Sequence, residues 1–358
     1  MLDRTTSDPD VWRREIAALT GAGGDDPAPF IAVLHRHGLL ERPIVGRDDG
    51  GYGYALSWHE AFETLVALGA GDLSTARLYE GHLNALQLVA LYGRSGQQAR
   101  VAQAVRAGVL LGVWGADAAV PVTVMAMPEG GAVFRGAKRY ASGTGHVGLA
   151  LVPVTAPDGV MQLHLLDVDD PGRSDVAGWD MRGMRRSASG SYRFDGIPQR
   201  VEDLIGGPDD YRREPYFVGG IWRCAAAQLG AVEAITGAIV DDLTASGRNA
   251  HPLQAARIGR AILAARTARL WVEDAAARVE SGEDVDRAVA LAAYARLATE
   301  EAAMTVIDLA ERGVGLASFD RGHRLEAMTR DLAVYIRQAN PDAVLLQHGR
   351  TLARDYAT

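Results

Sequence analysis

The 358-residue chain carries 37 Lys and Arg against 45 Asp and Glu, a formal charge of −8. That balance argues against the broad basic face a nucleic-acid partner needs, so an anionic ligand would require locally placed cations. With 48% hydrophobic and 23% charged residues the composition is that of a folded globular chain, and its one cysteine, Cys224, allows neither an internal disulfide nor a cysteine metal site.

Residues 1–12 are polar and acidic, without the apolar core of a secretory leader. The most apolar stretch, residues 109–127, is broken by Asp117 and Pro121, short of the roughly 20 residues a membrane helix requires. The expectation is a cytoplasmic protein. Residues 11–113 read mainly helical, with Ala, Leu and Val spaced by three and four and breaks at 21–29 and 43–53. From 114 to 207 short β-like runs alternate with turn signals at Gly130-Gly131, Pro157-Asp158-Gly159 and Asp169-Asp170-Pro171-Gly172. Met161-Gln162-Leu163-His164-Leu165 has the period of a half-buried strand, and Val133-Phe134-Arg135-Gly136 is similar. Helical texture then runs from 215 to the end. Ile258 with Ile262 and Leu263 with Leu270 mark a long helix, Ser281-Gly282-Glu283-Asp284 ends it, and its arginines Arg257, Arg260, Arg266 and Arg269 read as a solvated face. Long Ala-rich helices with short breaks predict an antiparallel bundle. Cys224 reads as a small buried apolar residue.

Five segments then appear in a telling order. They are Asp48-Asp49-Gly50-Gly51-Tyr52-Gly53; Gly81-His82 with Tyr92-Gly93 and Arg106-Ala107-Gly108; and Gly136-Ala137-Lys138-Arg139-Tyr140-Ala141-Ser142-Gly143. The fourth is Gly183-Met184-Arg185-Arg186-Ser187-Ala188-Ser189 with Phe194-Asp195-Gly196-Ile197-Pro198, read as a strand pair, and the last is Arg330-Asp331, read as the start of a final helix. Together they resemble the acyl-CoA dehydrogenase superfamily across nearly the whole chain. The resemblance implies an α+β multidomain fold: a helical N-terminal domain (1–113), a central β-barrel (114–207) and a C-terminal four-helix bundle (208–358). It also implies FAD between barrel and bundle, in a homodimer or homotetramer.

By that resemblance Tyr140, Ala141 and Ser142 lie against the flavin, offering a ring, a small residue and a hydroxyl with a backbone N–H. Trp114, Ala116 and Asp117 stand where the family's aromatic-x-x-Thr-Glu strand contacts its other side, although the threonine hydroxyl is lost here. Arg248, in Gly247-Arg248-Asn249 before Pro252-Leu253, resembles the arginine that reaches the cofactor phosphates of a neighbouring subunit, and a guanidinium fork suits a diphosphate. Gly313 and Gly315 fall at the family's glycine turn near the adenine, with Ala310 in place of the usual polar residue.

The family's catalytic glutamate is missing. Counted from Arg330-Asp331 its place falls on Ala339, and counted back from Arg350 on Gln338; the alternative place on the first bundle helix falls near Gly220. Three functions follow. One is an FAD-dependent oxidoreductase acting on an acyl-CoA or carrier-like substrate through another base, for which Asp342 is the candidate. The second is a flavin monooxygenase or oxidase using reduced FMN or FAD supplied by a reductase, with His146 in Tyr140-Ala141-Ser142-Gly143-Thr144-Gly145-His146 as a proton-guiding group. The third is a non-catalytic assembly partner. No two of the nine histidines share one-turn spacing, so no metal is expected. The expected partner is a small molecule, a CoA thioester in the first case, with no nucleic acid or membrane.

Overall fold

The computed structural model describes residues 8–337 and 340–356. Gln338 and Ala339, the two countings for the missing base, lie outside the described residues. The chain divides into two compact units. One comprises Met1–Leu56, Arg77–Asp180 and Arg185–Arg213, and the other Ser57–Ala76, Met181–Met184 and Glu214–Thr358. The boundary expected at 113/114 falls inside the first unit, and that at 207/208 lies close to its end.

The first unit holds the β structure. A four-stranded sheet runs in the order Leu204–Ile205, Met161–Asp167, Val147–Thr155, Leu110–Val113, antiparallel except for the last pair. A three-stranded sheet pairs Ala137–Ala141 with Gly190–Arg193 and that with Ser174–Asp175. A hairpin joins Thr123–Ala126 to Ala132–Arg135 around the Gly130-Gly131 turn. The Met161–Asp167 strand is buried more fully than its alternation predicts: His164 is also interior, edge-on to Phe134 at 5.0 Å. The segment 183–189 is not a strand. It forms a short 3₁₀ turn, Arg185–Ser187, before Gly190–Arg193.

His82 ties helix to sheet in this unit. Its Nε2 meets the carbonyl of Leu40 at 2.8 Å and its Nδ1 accepts from the N–H of Leu111 at 3.1 Å. One nitrogen donates and the other accepts, so only the neutral ring satisfies both. Burial pushes its pKa down to about 4.

The second unit is helical: Trp58–Gly71, Trp222–Ala245, Pro252–Ser281, Val285–Val314, Arg324–Tyr335 and Pro341–Ala353. A Ser57/Glu60 capping box starts the first of these. Gly69 and Gly230 allow it to touch Trp222–Ala245, since a Cβ on Gly69 would overlap the carbonyl of Ala227 and one on Gly230 that of Val66. Pro252–Ser281 buries Ala261, Ala265, Ala268, Val272, Ala275 and Ala276, while Ile262, Leu263 and Leu270 face outward, so small residues form its packed stripe. Arg269 departs from the solvated face expected of it. It bonds Glu233, Glu63 and Glu273 at 2.7–3.1 Å, and these bonds, Glu233's first, raise its pKa. Arg330-Asp331 lies well inside Arg324–Tyr335 and does not start it; Asp331 accepts from the N–H of Met184 at 2.9 Å.

Among the described residues one helical stretch, Gly219–Ala245, is long and apolar enough to cross a membrane. It is not the stretch singled out in the sequence, and 72% of its most apolar window is buried within the protein, as befits a core helix. Cys224 is buried on it.

Candidate functional site

The strand Ala137–Ala141 ends in an unusual backbone. Tyr140 sits at φ +54°, a region that costs a bulky L-residue roughly 1–2 kcal/mol. The residue is 47% exposed, its ring under the Arg139 guanidinium at 4.1 Å and edge-on to Trp179 at 6.2 Å. Behind it Ala141 is fully buried, its carbonyl receiving the N–H of Thr144 at 3.0 Å. Ser142 follows, 8% exposed.

A second strained segment locks onto this turn. Ala188 sits at φ +42°, and the carbonyls of Ser187 and Ala188 accept from the N–H groups of Gly143 and Thr144 at 2.8 and 3.1 Å. The hydroxyls of Ser142 and Ser189 lie 2.8 Å apart, as do those of Ser189 and Ser187. Ser187 and Ser189 were absorbed by the sequence into a strand motif. Their short, evenly spaced hydroxyls were the only available signal, and nothing in it told that they converge on Ser142.

The remaining expected residues divide between the units. Trp114 is buried against Tyr192, and its indole donates to the Ser142 carbonyl at 3.0 Å, so it braces the turn from behind. Ala116 receives the Arg139 N–H at 3.0 Å. Asp117 is 2.8 Å from the buried Lys138 ammonium, whose pKa burial lowers and Asp117 partly restores. In the second unit Arg248 and Gly313 come together: the guanidinium and the Gln254 amide both donate to the Gly313 carbonyl, at 3.1 and 3.2 Å. Gly315, at φ +83°, caps the same helix end, so a cation there also meets the helix dipole. Asp342 is exposed in the first turn of Pro341–Ala353, a position that favours an acid on helix grounds alone.

Around Gly220 the nearby carboxylates are committed. Glu214 accepts from the N–H groups of Val218 and Gly219, and Glu280 pairs with Arg223 at 2.6 Å and Trp222 at 3.2 Å. His348, passed over in the sequence, is buried on the last α-helix, and burial lowers its pKa against the pull of Glu214.

His146 lines a cavity of about 400 Å³ in the first unit, with Trp179, Val176, Ala177, Pro27 and Ala188 as its apolar wall. Burial lowers the pKa of His146, opposed by Asp26 4.0 Å away. Arg185 neutralises two other carboxylates at the rim, Asp25 at 2.7 Å and Asp180 at 3.4 Å.

An exposed ring with a nearly buried hydroxyl beside it fits one face and one edge of a flavin, whereas Ala141, expected against the ring system, is fully buried.

Comparison with known proteins agrees in class. Residues 221–336 match the family model for the acyl-CoA dehydrogenase C-terminal domain. The fold superposes on that of the monooxygenase TdsC from Paenibacillus sp. A11-2, solved with FMN and indole, with a TM-score of 0.81, 20% identity, and 97% of this chain and 95% of that one covered. This is the acyl-CoA dehydrogenase-like architecture. The family match is to its C-terminal domain, and for the rest of the chain the likeness is one of fold. Among curated relatives, dibenzothiophene monooxygenase of Mycolicibacterium goodii is 26% identical over 212 residues, 55% of this chain and 49% of that one. L-evernosamine nitrososynthase of a Micromonospora species is 30% identical over 178 residues, 46% and 42% of the two chains. The matches thus span about half the length of these relatives or less.

Proposed function

We propose that this protein is a cytoplasmic flavin-dependent monooxygenase or oxidase that takes reduced flavin, FMN being favoured over FAD, and oxidises a small molecule. The observation that carries the reading is the left-handed Tyr140, its ring held out beside the nearly buried Ser142 hydroxyl, since backbone strain of this kind clusters where a ligand must be met. The absence of an acid at Gln338, Ala339 and Gly220 supports oxygen chemistry over α-proton removal from an acyl-CoA. The oxidising relatives, and the FMN found with TdsC, support it further.

Bound flavin would supply the electron transfer and oxygen activation. In this chain Tyr140 would wall the ring and the Ser142 hydroxyl would hydrogen-bond the polar edge, braced by Trp114, while the Ser142 N–H is held by the Tyr140 carbonyl at 2.9 Å. The cavity at His146 has the size of a small-molecule site. Its Trp179 wall suits a flat apolar body, and His146, whose pKa burial lowers, can pass a proton. Outward-facing Ile262, Leu263 and Leu270 support a homo-oligomeric assembly.

The test is oxygen and NAD(P)H consumption by purified protein supplied with a flavin reductase, FMN and a panel of aromatic sulfur, indole and amine compounds. Substrate-dependent turnover is expected. Anaerobic bleaching of bound flavin by an acyl-CoA panel would instead restore the dehydrogenase reading, and failure to bind any flavin would favour a non-catalytic partner.

A further inference from the structure

His146 stands at the cavity wall with its side chain 27% exposed, and among the described residues its ring makes no hydrogen bond. Its ionic contact is Asp26, whose Oδ1 lies 4.0 Å from Nε2. The same oxygen accepts from the N–H of Ala28 at 2.9 Å, at the start of the helix Ala28–Arg36. The carboxylate is therefore anchored to backbone, while the ring has no such bond to give up if it turns. Closing the gap to hydrogen-bond length takes about 1 Å, and contacts of this kind often tighten when a site fills.

The other charges around the cavity are engaged elsewhere. Arg185 holds Asp25 and Asp180 at 2.7 and 3.4 Å, and Arg186 is spent on the Gly24 carbonyl and the face of Phe30. Asp26 is the charge that pulls the His146 pKa up against burial.

We propose that Asp26 is a positioning residue for His146: it draws the ring hydrogen to Nε2, leaving Nδ1 bare, and steadies the ring once Nδ1 has taken a proton from a bound molecule. A neutral imidazole carries one N–H, so a carboxylate at one nitrogen decides that the other is the base. This rests on the reading of His146 as the group that passes a proton beside the substrate. Were Asp26 needed only at the helix start, an oxygen there would suffice and its charge would be idle. Asp26→Asn separates the two roles, because the amide oxygen can still accept from Ala28 while the charge is gone.

The test follows the His146 ring by NMR in protein with 13C-labelled histidine, its signal being the one missing from His146→Gln. In Asp26→Asn the ring should titrate at lower pH than in wild type, since the carboxylate that favoured its charged form is lost. In the reductase-coupled assay kcat should fall about tenfold with KM nearly unchanged, and the acid limb of the turnover profile should move down in pH with the ring. Asp26→Ser, which also offers Ala28 an oxygen, decides if Asp26→Asn does not fold. A His146 titration unmoved by the change overturns the proposal and leaves the flavin reading standing. A titration that moves while kcat and the acid limb stay at wild type does the same. Wild type that binds no flavin overturns both.

Discussion

In the first unit residues with a Cβ occupy backbone that favours glycine: Tyr140 at φ +54° and Ala188 at φ +42° meet around a chain of serine hydroxyls. In the second, glycines occupy helix interiors that favour larger residues, with Gly69 and Gly230 each pressed against a carbonyl of the opposite helix. Both depart from local preference, in opposite senses and for different returns. The glycines convert lost helix propensity into close helix packing, which stabilises the bundle. The strained turn gains no comparable packing, since Tyr140 stays exposed, and that contrast is the ground for proposing that a ligand binds there.

The widest gap between these cases should appear on filling a glycine. Gly69→Ala is expected to destabilise the second unit by about 3 kcal/mol or more in urea unfolding, because neither backbone can yield cheaply. Gly237→Ala, on the same partner helix with open space around it, should be neutral or slightly stabilising, by up to about 1 kcal/mol. Equal effects at the two sites would remove close packing as the reason for Gly69.

His82 sharpens the comparison through pH. Its folded pKa, about 4, lies below the ordinary imidazole value near 6.5, so the unfolded chain binds a proton that the folded one refuses between these limits. Its contribution is complete above pH ~6.5 and lost as pH falls toward ~4, by about 3 kcal/mol. Stability measured across this range should show the slope, and a His82→Gln chain should lose His82's share of it and keep that of His164, whose pKa burial also pushes down to about 4.

A smaller loss is expected at Arg269, half-buried among three glutamates. Arg269→Met leaves these acids without their shared cation and should cost about 2 kcal/mol, reduced by solvent screening because the glutamates are partly exposed. A thermal midpoint unchanged from wild type would make the cluster a surface decoration. Smallest in energy, and the one that probes the ligand directly, is Ser142→Ala, for which FMN affinity should fall about tenfold with thermal stability nearly unaltered. A loss of stability with unchanged affinity would return the strained turn to a purely structural role.

The order of helices, strands and helices, and the resemblance carried by segments such as Gly136 to Gly143, were legible in the sequence because patterning and turn residues are local properties. The same locality explains the misreadings. Arg330-Asp331 was placed at a helix start, but the stop and start signals flanking it are weak. Leu263 and Leu270 drew attention by size, yet the buried stripe of that helix is alanine, since only small residues let it lie close to its neighbours. Segment 183–189 was read as a strand, although its 3₁₀ turn is fixed by contacts with residues about 45 positions earlier.

For the candidate site, the sequence determined the chemistry on offer: a ring, a small residue and a hydroxyl at Tyr140-Ala141-Ser142, and no acid where the family keeps its base. Tertiary structure alone decided what each group does. It put Trp114 behind the turn, gave Asp117 to Lys138, joined Arg248 to Gly313, and linked Ser142 to Ser189 and Ser187. Hydrogen bonds act over about 3 Å, and only folding brings residues dozens of positions apart within that reach.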